Sequence, residues 1–325
     1  MKSLSKHTIF FLSLIIIMAM IATGCNTNDT SDDTGDSSED KTSEETKNEE
    51  ITVDSEMGEV TIPANPENIL APFHEDTLLT LGVTPVAKWA IDTSVQEHLE
   101  DQLADIPTIE WTMPLEQVLS YEPDLIILEN SLDSYEGTYE DYQKIAPTFV
   151  MDEETVSDWK KQIDVFGELL GKEDEADQAM SDYDDTVEEA KESISDAIGE
   201  DSVAAIWVVG GKYFVFEKDR HSAEVLYDEL GVTVPSFIDD LGEASPQWEA
   251  LSLEKLSELD ADHVILLADD NEEGIKNLET SNVWAKVPAV ENDNVHIINE
   301  ADAWTNQGKI AATKTIDSIS DIFVK

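Results

Sequence analysis

The chain has 325 residues, with 19 basic and 73 acidic side chains and a formal charge of −54 at pH 7. A surface this acidic repels phosphate, which excludes nucleic acid as a partner. The one cysteine, Cys25, leaves no pair for a disulfide, and the acidity is assigned to a salty or harsh exterior, where screening is strong and such surfaces stay soluble.

In chain order, Lys2 and Lys6 precede an apolar run from Ile9 through Ile21, the layout of a secretory signal over residues 1–24. The run is too short to cross a bilayer comfortably. It closes on Ile21-Ala22-Thr23-Gly24-Cys25, which resembles the lipobox of bacterial lipoproteins, with Ala22 where that motif usually carries Leu or a larger aliphatic. The resemblance implies that Cys25 becomes the lipidated first residue and holds the chain on the extracellular face of the cytoplasmic membrane. Loss of two lysines and no acid would take the charge from −54 to −56. From Asn26 to Glu50 there is no aliphatic or aromatic residue to offset the entropy of ordering, so residues 25–50 are expected to form a flexible acidic tether.

Folded structure is expected from Ile51. Ile51–Asp54 and Gly58–Pro63 alternate about Ser55-Glu56-Met57 as a hairpin would. Short strands follow at Asn68–Ala71 and Val83–Trp89, separated by a helix over Asp76–Leu81 that ends on Gly82. A helix from Pro114 leads through Pro123-Asp124 into a buried strand, Leu125–Leu128, and the alternation predicts a mainly parallel, helix-covered sheet. Between Glu173 and Ile198 the apolar positions Ala176, Met180, Tyr183, Val187, Ala190, Ile194 and Ala197 are spaced alternately four and three. That predicts one helix roughly 39 Å long, an intramolecular strut rather than the seam of a coiled-coil dimer. The pattern then restarts, with strands at Ser202–Val209 and Tyr213–Phe216, helices at Ser222–Leu230 and Leu251–Leu259, strands at His263–Leu267 and Asn294–Ile298, and a closing helix over Lys309–Phe323. The fold class is therefore α/β, two Rossmann-like lobes (51–172 and 200–325) joined by one rigid helix (173–199), with a ligand cleft between them.

One phrase occurs twice: Pro114-Leu115-Glu116-Gln117-Val118 through Pro123-Asp124 to Leu128, and Ser252-Leu253-Glu254-Lys255-Leu256 through Ala261-Asp262 to Leu266. With Thr61–Ile69, Leu81–Val86, Lys144–Thr148 and Trp284–Val290 in this order, the chain resembles the substrate-binding proteins with a helical backbone between lobes, which serve importers for ferric siderophores, cobalamin and haem. The resemblance covers nearly the whole chain from Ile51. It implies a monomeric receptor that captures an iron(III)-siderophore complex, a hydroxamate first, and hands it to a cognate ABC permease dimer with its ATPase. It implies no cofactor and no enzymatic activity. Ferric citrate, catecholate siderophores, cobalamin and haem are the alternative ligands, and a structural or adhesion lipoprotein is the alternative class.

By motif position, Glu116 and Glu254 would dock into arginine pockets of the permease, where two carboxylates held apart by a rigid body can read the spacing of two cationic sites. A siderophore already saturates its iron, so the cleft needs aromatic walls and a few donors rather than metal ligands. The only arginine, Arg220, precedes the first helix of the second lobe. The family's hydroxamate-binding members carry an arginine in this loop, in a register that falls on His221, so either Arg220 or His221 takes the role. Trp304 matches a cleft tryptophan before the final helix, and Trp89 follows a strand of the first lobe. Tyr213, Trp248 and His74 complete the candidates. The five histidines after the signal, at 74, 98, 221, 263 and 296, are scattered, which argues against a bare-metal receptor, although a haem receptor could draw an axial ligand from His74 or His221. Gly-x-Ser-x-Gly, His-Glu-x-x-His and phosphate-loop motifs are all lacking, which makes a hydrolase the weakest class. A strut helix in place of flexible crossing strands implies little lobe motion.

Overall fold

Period-two alternation builds the first element, a hairpin of β1 (Glu50–Ser55) and β2 (Gly58–Pro63) that turns on Glu56-Met57 and closes on Gly58 at φ 98°. The computed structural model describes residues 49–299 and 301–324. The secretory signal, Cys25 and the tether as far as Asn48 lie outside the described residues, and the tether's expected last residue, Glu50, is already paired in β1.

The N-terminal half carries two small parallel sheets. One has the order β3 (Ile69–Leu70), β6 (Leu125–Leu128), β7 (Thr148–Val150), and the other pairs β4 (Lys88–Ala90) with β5 (Thr108–Glu110). Strand β6 is buried on both faces: Leu125 and Ile127 enter the larger core, while Ile126 and Leu128 enter a second core confined to this half. The hairpin is fastened to this sheet through Ser55, whose Oγ donates to the Val150 carbonyl at 3.1 Å and accepts from the Val150 N–H at 2.9 Å. The strand expected over Val83–Trp89 is instead β4, because Pro85 has no N–H to offer a ladder.

The C-terminal half is one five-stranded sheet, ordered β10 (Ala250–Leu251), β9 (Lys212–Val215), β8 (Val203–Val209), β11 (His263–Leu267), β12 (Val295–Ile298). It departs from the expected parallel arrangement at β9, which runs antiparallel to both of its neighbours, β8 and β10. The cause is local. Gly210 and Gly211, at φ 56° and 72°, make a two-residue turn, and only antiparallel neighbours can be joined by so short a loop. Two expected helices are also corrected. Ser222–Leu230 is one α-turn, Ser222–Glu224, followed by a π-turn, Val225–Glu229, in which the Leu230 N–H reaches back to the Val225 carbonyl. Leu251–Leu259 shrinks to Leu253–Leu256, because the sheet takes Leu251 as the partner of Tyr213 and Ser252 caps the helix by accepting from the Lys255 N–H.

The long helix spans Glu173–Ile198, with three acids in its first turn where the helix dipole favours them. Ala176, Tyr183, Ala190 and Ile194 are buried and Met180 and Val187 partly so, whereas Ala197 is exposed and Ile198 takes its place at the core. An α-helix turns every 3.6 residues, so a strict seven-residue stripe drifts off one face within a few turns. The helix packs antiparallel on Trp159–Leu170, which sequence periodicity did not bring out. The joint is Gly171, left-handed at φ 61°, and Gly167 lies so close that an added Cβ would meet Ala176 at 3.0 Å. Among the described residues no helix is long and apolar enough to cross a membrane.

The two halves are fastened at Asp76, which is 2% exposed in the Glu75–Thr80 helix of the N-terminal half. Its carboxylate accepts the Ile310 and Ala311 N–H groups at 3.0 and 2.9 Å and so caps the closing helix, Lys309–Phe323. Gly308 leaves the necessary room, since a Cβ there would lie 2.3 Å from the Asp76 Cγ. A second clasp joins His98 to Asp302, which accepts from the His98 backbone N–H at 2.8 Å and lies 2.6 Å from its Nδ1. Asp76→Ala would leave two buried N–H groups without a partner and is expected to cost roughly 2 kcal/mol of unfolding free energy, measured as a fall in the urea midpoint.

Candidate ligand-binding site

Parallel αβ sheets place ligands outside the carboxyl ends of their strands, and the N-terminal half has a pocket of about 230 Å³ there. Phe73 follows β3, Trp89 is in β4, Trp111 follows β5, and Glu129 follows β6, with Tyr135 completing the wall. Phe73 and Trp111 are 43% and 39% exposed, and Phe73 holds a left-handed φ of 73°. Such a backbone is costly for a large side chain and is kept only where the surroundings impose it. The Phe73 ring packs edge-on to Trp89 at 5.2 Å.

Behind this wall lies a buried polar layer. His74 is buried, with Nδ1 at 3.1 Å from Gln162 Oε1 on the Trp159–Leu170 helix and Nε2 at 3.3 Å from Glu129 Oε1. The His74 imidazole beside it outweighs partial burial and holds the Glu129 carboxyl below its ordinary value. Glu75 is fully buried. Its Oε1 accepts the Trp89 N–H at 2.5 Å, fixing the strand that carries the tryptophan, while Oε2 has no hydrogen-bond partner among the described residues. Burial pushes this carboxyl up to about 7, against the opposing pull of the Trp89 N–H.

In the C-terminal half, Arg220, His221 and Trp248 come together. The guanidinium lies 4.3 Å from the Trp248 ring centroid, is ion-paired with Glu217 and donates to the Ser245 carbonyl at 2.8 Å. Its charge is therefore matched inside the protein. His221, at φ 47°, tilts against Trp248 at 5.9 Å, and burial followed by the neighbouring Arg220 charge lowers its pKa. Trp248 also meets Trp207 and Phe216. Trp304 is wholly buried, edge-on to Phe216 at 6.0 Å, and Tyr213 is 6% exposed with its hydroxyl donating to the Gly274 carbonyl. In this conformation those two belong to the core. Of the candidates, the structure thus joins Arg220, His221 and Trp248, and links Trp304 to them through Phe216. Trp89 lines the pocket of the other half, with His74 buried behind it.

Glu116 and Glu254 are both exposed in the first turn of a short helix, Leu115–Ser120 and Leu253–Leu256. The repeated phrase has a structural cause beside them. Asp124 accepts the Glu67 and Asn68 N–H groups at 2.9 Å each, just before β3, and Asp262 accepts the Ser202 N–H and hydroxyl at 2.9 and 2.8 Å, just before β8. Each aspartate precedes a buried strand and pins the strand paired parallel to it. Phe73, Trp111, Tyr135 and Glu129 were not singled out by sequence. Phe73 and Glu129 each closely follow a strand end, which was the available signal, whereas Trp111 follows β5, a strand too short to recognise. Among the described residues no group of three or more His, Cys, Asp or Glu side chains is placed to hold a metal ion.

Two αβ halves bridged by a single long helix, with an aromatic pocket at the strand ends, define a solute-binding protein of the helical-backbone type. The profile described as periplasmic binding protein matches residues 69–301, and the chain belongs to that family. It is 27% identical to the iron(3+)-hydroxamate-binding protein YxeB of Bacillus subtilis (strain 168), with 98% of each chain covered. Of solved structures, the FhuD protein from S. pseudintermedius overlays with a TM-score of 0.68 at 22% identity, covering 84% of this chain and 98% of that one. FhuD2 from Staphylococcus aureus with bound ferrioxamine B gives 0.65 at 20%, covering 79% and 98%. At these identities the likeness to the solved structures is one of fold.

Because native Glu75 holds its proton up to about 7 while an unfolded chain releases it near 4.5, stability is lost as pH rises through that window. Glu75→Gln keeps the acceptor for the Trp89 N–H and is expected to stabilise the protein by roughly 3 kcal/mol at pH 8 and by little at pH 4, measured by urea unfolding at both pH values.

Proposed function

We propose that this protein is the extracellular capture component of an ABC importer and that its cargo is a ferric siderophore, a hydroxamate ahead of ferric citrate, a catecholate, cobalamin or haem. The observation that carries the ligand class is one of charge. The pocket at the ends of β3 to β6 is lined by rings, two serines and a carboxylate, with no lysine or arginine among the described lining residues, and the chain's only arginine is matched by Glu217. Ferric citrate and tris-catecholate complexes are anionic and call for cationic partners. A tris-hydroxamate complex is neutral, because three monoanionic groups balance Fe³⁺, and it suits aromatic walls. The name of YxeB supports the same class.

Lipidation at Cys25 would keep the domain beside the membrane on its tether, and Glu116 and Glu254 would present one carboxylate from each half to the permease. Two charges on one rigid frame steer docking more than they add affinity. Acid-rich surroundings do not blur this role, since each glutamate occupies the equivalent turn of its half.

Tryptophan fluorescence of residues 49–325 is expected to be quenched saturably by a ferric hydroxamate and not by its iron-free form. Quenching by ferric citrate, a ferric catecholate, cobalamin or haem alone would reassign the ligand, and silence across the panel would overturn the siderophore reading. Glu116→Ala combined with Glu254→Ala is expected to reduce cellular uptake at least tenfold, by loss of two charge-assisted contacts, with affinity for the ligand unchanged. Undiminished uptake would rule out the docking role.

A further inference from the structure

The N-terminal pocket says more about its ligand than that the iron centre is neutral. Its rings, Phe73, Trp89, Trp111 and Tyr135, share the lining with one carboxylate, Glu129. Glu129 Oε1 is occupied on the buried side, 3.3 Å from His74 Nε2. Its Oε2 accepts only from the Ser131 hydroxyl, at 3.3 Å, and is the oxygen free to take a further donor. The Glu129 N–H donates to the Tyr135 hydroxyl at 3.2 Å, which ties the carboxylate's own backbone to the pocket wall. Burial keeps the Tyr135 phenol protonated well above neutral pH, so its ring joins the wall as a neutral π face.

A pocket lined by a carboxylate and aromatic rings attracts a cation twice, through the charge and through the ring quadrupoles. It repels an anion for the same reasons, and no lysine or arginine among the described lining residues offsets it.

We propose that Glu129 is a specificity-determining residue for a cationic arm on the captured complex, so that a ferric hydroxamate bearing a free ammonium group is preferred to the same complex without one. The inference rests on the siderophore reading above and deepens it. A neutral tris-hydroxamate core gives the protein no charge to read, so any charge recognition acts on a substituent. A primary ammonium has three donors and a compact charge, which suits one carboxylate oxygen in a pocket that Trp89 and Trp111 also line.

The test is a comparison of two ferric complexes that differ at one group, ferrioxamine B, which ends in a primary ammonium, and its N-acetylated form. Both are titrated into the protein and into its Glu129→Gln variant, whose melting temperature is checked in parallel. The unmodified chain is expected to bind the ammonium form about tenfold tighter at low salt, with the gap narrowing as salt rises. Glu129→Gln is expected to close the gap to about twofold, whatever happens to absolute affinity, because only the charge is removed. A purely structural role for Glu129 would weaken both complexes alike and leave the ratio intact. Equal affinities in the unmodified chain, or a gap that survives in Glu129→Gln, overturns the proposal. If neither complex binds, the hydroxamate reading falls and the proposal with it, an outcome separate from the loss of discrimination.

Discussion

The contact on which the architecture turns is the Asp76 carboxylate buried at the start of the closing helix. A helix N-terminus presents unpaired N–H groups, and burying them without acceptors would be costly. Here the acceptor comes from the other half of the molecule, more than two hundred residues earlier in the chain. The last helix therefore completes its hydrogen bonding only when both halves are in place. Gly308 is tied to the same contact, because any side chain there would occupy the position of the carboxylate. The clasp of His98 with Asp302 in the short helix Ala301–Thr305, and Lys314 of the closing helix donating to the His98 carbonyl at 2.6 Å, extend the joint. Burial disfavours charge on His98, but Asp302 and Asp76 outweigh it and raise its pKa above the ordinary value. The joint is thus a polar one, set into a hydrophobic core that itself runs through both halves.

The pocket depends on a second layer of the same kind. Trp89 is placed by Glu75, and Glu129 by His74, and both supporting residues sit on or beside the helix that carries Asp76. The short segment from Phe73 to Asp76 consequently serves three ends. Phe73 faces the pocket, His74 and Glu75 hold its wall, and Asp76 fastens the halves.

Acidity acts differently on the two levels of this molecule. Most of the 73 acids are solvated and set the global charge. A few perform local tasks that need a carboxylate in one place: Asp124 and Asp262 pin neighbouring strands, Glu217 matches the only arginine, and Glu129 sits among rings. In a chain with a single arginine, the pairing of Arg220 with Glu217 leaves that guanidinium matched within the protein. That match follows from pairing rather than from composition, since the sequence does not show which carboxylate the arginine meets.

Regular elements with strong local patterning were legible from the amino acids alone. The strut helix over Glu173–Ile198, the buried strands Leu125–Leu128 and His263–Leu267, and the closing helix Lys309–Phe323 coincide with the structure, because each carries its apolar period or run within itself. The repeated phrase also disclosed equivalent positions in the two halves, though not that its aspartates act as strand pins. What the sequence could not determine was everything settled by partners distant along the chain. The pairing of β10 with β9, the shortening of the helix after Ser252, the burial of Trp304 and Tyr213, and the capture of Arg220 by Trp248 and the Ser245 carbonyl each depend on where another segment arrives. A tryptophan or an arginine has the same local pattern whether it lines a pocket or completes a core, and only the tertiary structure decides which of its faces remains unpaired.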